Sequence, residues 1–211
     1  MEIIDMKECV IYGAGTYGEV YASYLKEMYN ILGFIDDNSL LIGKTVNKFP
    51  VLGNSKYLFS KLKRDVVVFV PIGNNQLRVS LFEKLNQEGF TTPNFIHPKT
   101  LIDSSVSLGK GVYILPSTNV MPFTKIADYS MISMGVNIAH HVYIEKGCFF
   151  SQGTNIGASI NIKEKAYFGI GATVMTGVTS IGENALIGAG SVVINNIPAN
   201  CTAVGVPAKP L

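Results

Sequence analysis

The sequence predicts a two-part protein: a βαβαβ unit with a parallel sheet over residues 1–95, then a triangular β-solenoid over residues 96–211. Three observations carry this expectation. Up to about residue 95, short apolar runs rich in β-branched residues alternate with stretches of helical spacing. From Ile102 onward, a bulky apolar residue returns at every sixth position. A glycine-rich turn, GAGTYG from Gly13 to Gly18, joins the first apolar run to the first helical stretch.

In the first part, ECVIYG from Glu8 reads as a buried strand. Tyr17, Val20, Tyr21, Tyr24, Leu25 and Met28 then fall at helical spacing. NILGFIDDN from Asn30 is a second strand that ends in two acids and a turn. DVVVFVPIGNN from Asp65 is a third, its β-branched run implying burial on both faces. Leu77, Leu81, Phe82 and Leu85 mark another helix, closed by Gly89. TPNFIHP then leads out of the unit.

The second part has a different period. Thirteen bulky apolar residues, from Ile102, Leu108 and Ile114 through to Val174, stand six apart without a miss. One residue is inserted, and Ile181, Ile187 and Val193 continue the series. Four positions after most of them sits something small or β-branched, such as Thr118, Thr124, Ser130, Val136, Val142 and Cys148. Neither a helix nor a flat sheet repeats every six residues. A triangular solenoid does, because each hexapeptide supplies one short strand and one corner, and three make a coil. The bulky residue and the residue two before it point inward. After Val193 the tail IPANCTAVGVPAKPL suits a cap over the last coil, which would otherwise expose an unpaired sheet edge.

Composition narrows the function classes. With 47% hydrophobic and 15% charged residues, the chain reads as a densely buried globular protein rather than a disordered one. A net charge of +2 without a basic run argues against nucleic acid or an anionic membrane as the main partner. Cys9, Cys148 and Cys201 are odd in number and widely spaced, which excludes a disulfide framework or zinc ribbon and suits a reducing cytosol. Neither a secretory leader pattern nor an apolar stretch of about 20 residues is visible. The expectation is a soluble, cytoplasmic protein.

The hexapeptide solenoid ending in GVPAKP, preceded by YGAGTYG, GFIDDN and IGNNQLR, resembles the hexapeptide-repeat sugar acetyltransferases. That family includes the bacillosamine-pathway and perosamine N-acetyltransferases and the sialic acid O-acetyltransferases. The resemblance runs over essentially the whole chain. It implies a Rossmann-like first domain and a left-handed parallel β-helix that packs as a homotrimer. It also implies acetyl-CoA as co-substrate, lying between neighbouring solenoids, and an N-terminal domain that binds a nucleotide-sugar or sugar acceptor.

Taken alone, GAGTYG is a G-x-G-x-x-G fingerprint between a strand and a helix, with Asp36 ending the next strand. Fewer than 100 residues make only one mononucleotide-binding half, which argues against a full NAD site. A purely structural glycine turn and a nucleotide-sugar loop are the other readings. By the resemblance, Gly15, Thr16 and Tyr17 line the acceptor pocket, Asp36 and Asp37 accept hydrogen bonds from base or sugar, and Gly73 approaches by its backbone. Tyr17 stands where the family commonly has a histidine.

His140 and His141 fall at a corner of the solenoid rather than in its core, since Ile138 is the inward residue. As polar corner residues they could simply face solvent. Metal binding is disfavoured, because adjacent histidines do not readily face one ion and His97 lies outside the repeat. The resemblance places His140 at the catalytic base, which takes a proton from the acceptor amine or hydroxyl as it attacks the thioester carbonyl. A backbone N–H near the thioester would steady the oxyanion. The family usually follows this base with an acid; here His141 follows it. The residues eighteen away, Pro122 and Phe123 on one side and Ala158 and Ser159 on the other, include no acid. The expectation is that His141 orients His140, or that an acid arrives from a neighbouring protomer. Phe149 replaces a histidine that often touches the acetyl group, which leaves open a different acyl group. FGIGATV and IGAGSVV resemble the family's coenzyme-binding corners, making Ile170 and Ala189 main-chain contact candidates.

The expected activity is acetyl-CoA-dependent transfer of acetyl to the amino group of a nucleotide-linked amino sugar made for a surface glycan, without a metal. Three alternatives stay open: O-acetylation of a sialic acid, a non-catalytic sugar-nucleotide binder, and a nicotinamide enzyme using the first domain alone.

Overall fold

The computed structural model describes residues 6–211. The chain divides into two compact units, the first ending at Pro93 and the second spanning Asn94–Leu211.

The first unit is an α/β layer. Strand β1 (Glu8–Tyr12) leads to helix α1 (Thr16–Leu25) and strand β2 (Asn30–Ile35). A hairpin of β3 (Thr45–Val46) and β4 (Phe49–Gly53) comes next, followed by α2 (Ser55–Lys61), β5 (Val67–Phe69) and α3 (Asn75–Gln87). The sheet order is β3-β4-β2-β1-β5. Strand β1 pairs in parallel with β2 on one side (Ile11 with Phe34) and with β5 on the other (Ile11 with Phe69). Val66 to Val70 are all buried, as the β-branched run implies for a strand covered on both faces. Cys9 lies inside this layer, and burial pushes its thiol up to about 12, so it behaves as an inert packing residue.

Two details of this unit differ from the sequence pattern. The hairpin and α2 lie between the second and third expected strands; Asn47 and Lys48, with φ of 44° and 71°, make its tight two-residue turn. In α3 the buried residues are Arg78, Val79, Leu81, Phe82 and Leu85, while Leu77 is exposed. The buried set therefore starts on a charged residue. Helix α3 ends as the sequence implies, with Gly89 at φ 80° and the Phe90 N–H donating to Leu85 O at 3.0 Å.

The second unit is a triangular parallel β-helix. Phe95–Ile96, Leu101–Ile102 and Ser107–Leu108 begin its three faces, and each later strand up to Thr202–Gly205 pairs in parallel with the one a coil before it. The first face continues through Tyr113–Ile114, Met131–Ile132, Phe149–Phe150 and Tyr167–Phe168. The second continues through Asn119–Val120, Asn137–Ile138, Asn155–Ile156 and Thr173–Val174. The third continues through Lys125–Ile126, Tyr143–Ile144 and Asn161–Ile162.

The inward residues form one continuous core that includes Ile114, Ile132, Ile138, Phe150 and Phe168, with Val136, Val142 and Cys148 beside them at the bends. Phe150 and Phe168 stack at 4.7 Å between ring centroids. Thr118, Thr124 and Ser130 are buried yet satisfied, each hydroxyl donating to a main-chain carbonyl. The inserted residue is absorbed at a corner around Gly177 (φ 104°), so Asn161 pairs with Ser180 rather than one residue earlier. At the C-terminal end Thr202–Gly205 extends the first face, and Ala208–Pro210 folds back on it antiparallel.

Candidate functional site

Each unit gathers its own set of candidate residues. In the first, the chain leaves β1 for β2 on one side and later returns to β5 on the other. The crevice outside the carboxyl ends of β1 and β5 is thus a topological switch point, where open α/β sheets bind ligands. Gly15 and Thr16 are exposed there and Tyr17 is half-buried. The three positions of the glycine loop serve different purposes. An added Cβ at Gly18 would lie 2.0 Å from Gly13 O, so this glycine permits close packing of α1 on β1. At Gly15 the same Cβ would meet nothing within 4 Å, so it opens onto space a ligand can occupy.

Asp36 and Asp37 follow β2 and are already engaged with the chain itself. Asp36 accepts from the Ala14 N–H at 2.8 Å and from the Asn38 N–H at 2.8 Å. A loop amide that a phosphate would seek is therefore taken by a carboxylate, which also places negative charge at the loop. This disfavours a dinucleotide pyrophosphate seated there. Asp37 accepts from the Tyr12 hydroxyl at 2.5 Å and from the Ser55 N–H at 2.8 Å. Burial works to raise the Asp37 carboxyl, but the bonds from Tyr12 and Ser55 outweigh it and hold the group below its ordinary value. Burial and then Asp37 itself raise the Tyr12 phenol above its ordinary value.

Gly73 sits after β5, across from the glycine loop: an added Cβ on Gly13 would lie 3.3 Å from Ile72 Cγ1. The fully buried Arg78 braces this lip, donating to Ile72 O at 2.8 Å, Gly73 O at 3.4 Å and Asn75 Oδ1 at 2.9 Å. Sequence reasoning passed over Arg78 and Tyr12. The available signal for Arg78 was a charged residue in register with Leu81, Phe82 and Leu85.

In the second unit, His140 and His141 occupy the corner between the second and third faces, and both are exposed. Their Nδ1 atoms are 3.0 Å apart, with the ring planes at 89°. The main chain fixes the corner from both neighbouring coils: His141 N–H donates to Pro122 O and Ser159 N–H donates to His140 O. His141 has φ 57°, in line with Phe123 and Ser159 at 63° and 60° in the adjacent coils, and its ring packs against Phe123 at 4.9 Å. Among the described residues no carboxylate bonds to either imidazole. If the Nδ1 of His140 carries the proton, it donates to His141 and leaves Nε2 of His140 free to accept one.

Two depressions flank this corner. On the second face lies a groove of about 370 Å³, lined by Asn119, Met121, Asn137, Ala139, Gly157 and Thr176 among others, with no charged residue. Asn119 donates to Asn137 at 2.8 Å, and Asn137 to Asn155 at 2.9 Å, forming an amide ladder along it. On the third face a pocket of about 470 Å³ is lined by Phe123, Lys125, His141, Val142 and Tyr143.

Ile170 and Ala189 lie at a different corner, between the first and second faces, in adjacent coils. Both are exposed, and the glycines pack these coils closely: a Cβ on Gly169 would lie 2.5 Å from Ala189 N. Within one chain they are on the opposite edge of the second face from His140, with the uncharged groove between. Phe149 lies on the outer side of the first face, 2% exposed and stacked on Tyr167 at 5.1 Å. It is thus not at the dyad's corner. No group of three or more His, Cys, Asp or Glu that could hold a metal occurs among the described residues.

Residues 8–85 match the PglD N-terminal domain family. A GDP-perosamine N-acetyltransferase of Escherichia coli O157:H7 is 29% identical, aligned over 94% of this chain and 94% of that one. The crystal structure of PerB from Caulobacter crescentus, in complex with CoA and GDP-perosamine, is 30% identical over 97% of both chains, with a TM-score of 0.89. The acetyltransferase domain of PglB from Neisseria gonorrhoeae is 28% identical over 97% of this chain and 100% of that one, with a TM-score of 0.90. With its first unit Rossmann-like, its second a left-handed β-helix and its likeness end to end, this chain belongs to the hexapeptide-repeat sugar acetyltransferases and is an acyltransferase.

Proposed function

We propose that this protein transfers the acetyl group of acetyl-CoA to the amino group of a nucleotide-linked amino sugar destined for a surface glycan. The observation that carries this reading is the imidazole pair, joined at 3.0 Å, at the head of an uncharged groove on an acyltransferase fold. The similarity to proteins crystallised or named with CoA and GDP-perosamine supports the substrate classes.

In this reading His140 is the general base. Its Nε2 takes a proton from the acceptor nitrogen as that nitrogen bonds to the carbonyl carbon, and returns it to the thiolate that leaves. His141 holds the ring in the required tautomer by accepting the Nδ1 proton, the part an acid usually plays. The thioester supplies the acyl group. The groove suits a coenzyme arm, since the Asn119–Asn137–Asn155 ladder offers amide partners and Met121 and Met175 offer apolar contact. It also spans the face between Ile170 and Ala189 at one edge and His140 at the other. The switch-point crevice of the first unit takes the acceptor. There Gly15, Thr16, Tyr17 and Gly73 line the space, and Asp36 and Asp37 keep lone pairs for N–H or O–H donors of base or sugar. The protein works in the cytoplasm as a homotrimer.

The test is release of free CoA thiol from acetyl-CoA over a panel of UDP- and GDP-linked 4-amino sugars, sialic acid and CMP-sialic acid, with His140→Ala alongside. Turnover on an amino sugar, lost in the variant, is the expected result. Turnover only on sialic acid moves the reading to O-acetylation, and silence across the panel with a folded trimer overturns it.

A further inference from the structure

The bond between the two imidazoles is made at an exposed corner, where water competes for both Nδ1 atoms. The torsion that turns an imidazole about its Cβ–Cγ bond is broad and roughly two-fold, so one surface hydrogen bond does not fix it. A half-turn of His141 would put carbon where Nδ1 stands and break the bond. Phe123, one coil before, supplies a second restraint. Its ring lies against that of His141, 4.9 Å between centroids and tilted by 45°. In the coil after, the matching corner residue is Ser159, which offers no ring. Phe123 is 59% exposed at φ 63°, so it gains little from burial and holds a backbone conformation that favours glycine or asparagine. Tyr129, at the next corner along the chain with φ 61°, is only 8% exposed. Packing into a core thus accounts for Tyr129 and not for Phe123, whose ring meets that of His141. The main chain of Phe123 is anchored from the coil before it: Ser105 Oγ accepts from the Phe123 N–H at 2.9 Å while donating to Asp103. That of His141 is fixed through Pro122 O. Both backbones are set, and the two rings hold each other.

We infer that Phe123 is a positioning residue for the reaction: its ring holds the His141 imidazole in the orientation that accepts the Nδ1 proton of His140. This inference rests on the reading that His140 is the base and His141 its partner. The phenyl ring opposes the turn of His141 about Cβ–Cγ and screens one side of the Nδ1–Nδ1 contact from water, which strengthens that bond. With the Nδ1 proton of His140 committed to His141, Nε2 of His140 is left unprotonated and ready to accept one. Phe123 acts through His141 and takes no part in the proton transfer itself.

The test reads the tautomers directly. The chain has three histidines, so their ring nitrogens can be followed by long-range proton–nitrogen correlation at about pH 8, above the ordinary histidine range. His97 is an internal reference, since its Nδ1 accepts from the Lys99 N–H and its proton is therefore on Nε2. The wild type should show His140 protonated on Nδ1 and His141 on Nε2. Phe123→Asn removes the ring at a left-handed position that asparagine tolerates, and equal melting temperatures check that the fold is intact. In this variant His140 should lose its fixed Nδ1 proton and show mixed tautomers. Its kcat should fall about two- to tenfold, with the KM for acetyl-CoA and for the acceptor unchanged. Phe123→Tyr keeps the ring and should recover both the tautomers and the turnover. In a His141→Gly protein, Phe123→Asn should cost nothing further.

Unchanged tautomers in Phe123→Asn overturn the inference whatever happens to kcat, as does a wild type in which His140 has no preferred tautomer. A rise in either KM with kcat unchanged would mean that the ring meets substrate, and overturns it too. If the tautomers shift in Phe123→Asn while His140→Ala turns over as fast as the wild type, Phe123 positions the pair as inferred and the assignment of His140 as base is what fails.

Discussion

Nδ1 of His140 and Nδ1 of His141 lie 3.0 Å apart, so one ring must donate to the other and the tautomers of the pair are tied. The backbone of His141 is held at φ 57°, a conformation that asparagine and glycine tolerate far better than alanine. This allows the orienting role to be separated from backbone strain. His141→Gly removes the side chain without strain, whereas His141→Asn restores a carbonyl oxygen that can accept the Nδ1 proton. His140→Ala should lower kcat by about 10²- to 10⁴-fold. His141→Gly should cost roughly tenfold through a misoriented base, and His141→Asn should recover much of that. Equal activity of the glycine variant and the wild type would remove the orienting role and leave His140 acting alone.

The glycine loop makes a paired prediction. Gly18→Ala sets a methyl group 2.0 Å from Gly13 O and 3.3 Å from the Phe34 ring, where neither main chain nor core can yield cheaply. Thermal unfolding should show a loss of about 3 kcal/mol or more. Gly15→Ala meets nothing within 4 Å and its φ of −81° suits any residue. Its melting temperature should stay near that of the wild type, while the added methyl narrows the crevice and raises the acceptor KM. A Gly15→Ala protein with unchanged acceptor KM would mean that the acceptor does not approach this loop.

The Tyr12–Asp37 bond predicts opposite effects at the two ends of the pH scale. Asp37 titrates below its ordinary value in the folded protein. Its contribution is therefore present above the unfolded carboxylate range, near pH 4, and is lost as pH falls through the lower folded value. Tyr12 titrates above its ordinary value. Its contribution is complete below about pH 10 and is lost as pH rises beyond it. Tyr12→Phe should flatten both limbs of a stability-against-pH curve, the alkaline limb more, and urea unfolding at pH 3, 7 and 10.5 would measure it. An unchanged alkaline limb would mean that the phenol gains nothing from its place on β1.

Much of the fold was legible because the solenoid writes its geometry directly into the chain. One turn of the triangle is eighteen residues, so Ile138, Ile156 and Val174 must coincide, and even the extra residue near Gly177 shows as a single step in the series. The hairpin Thr45–Gly53 left no comparable trace, because β3 is only two residues long and one face of it meets solvent. Helix α2 buries Leu58 alone among its seven residues, too little for a stripe to emerge. The histidine corner was legible for the same reason as the core: the register that sends Ile138 inward leaves His140 and His141 at a bend. Tyr12 and Asp37 meet across twenty-five residues of chain, a pairing that only the sheet order reveals.

Arg78 was hidden because a charge beside an apolar stripe normally marks the solvent edge of a helix. It is fully buried instead, and its planar fork spans two carbonyls of the β5 lip and Asn75. Arg78→Met removes three donated bonds and leaves Ile72 O, Gly73 O and Asn75 Oδ1 without those donors, at a cost of about 2–3 kcal/mol. Arg78→Lys keeps the charge but supplies a single point donor, so it should restore stability more than it restores lip geometry. The lysine variant is thus expected to melt close to the wild type yet show a several-fold higher KM for the acceptor and an unchanged KM for acetyl-CoA. If both KM values move together, or neither moves while stability falls, Arg78 supports the first unit as a whole and has no particular part in shaping its crevice.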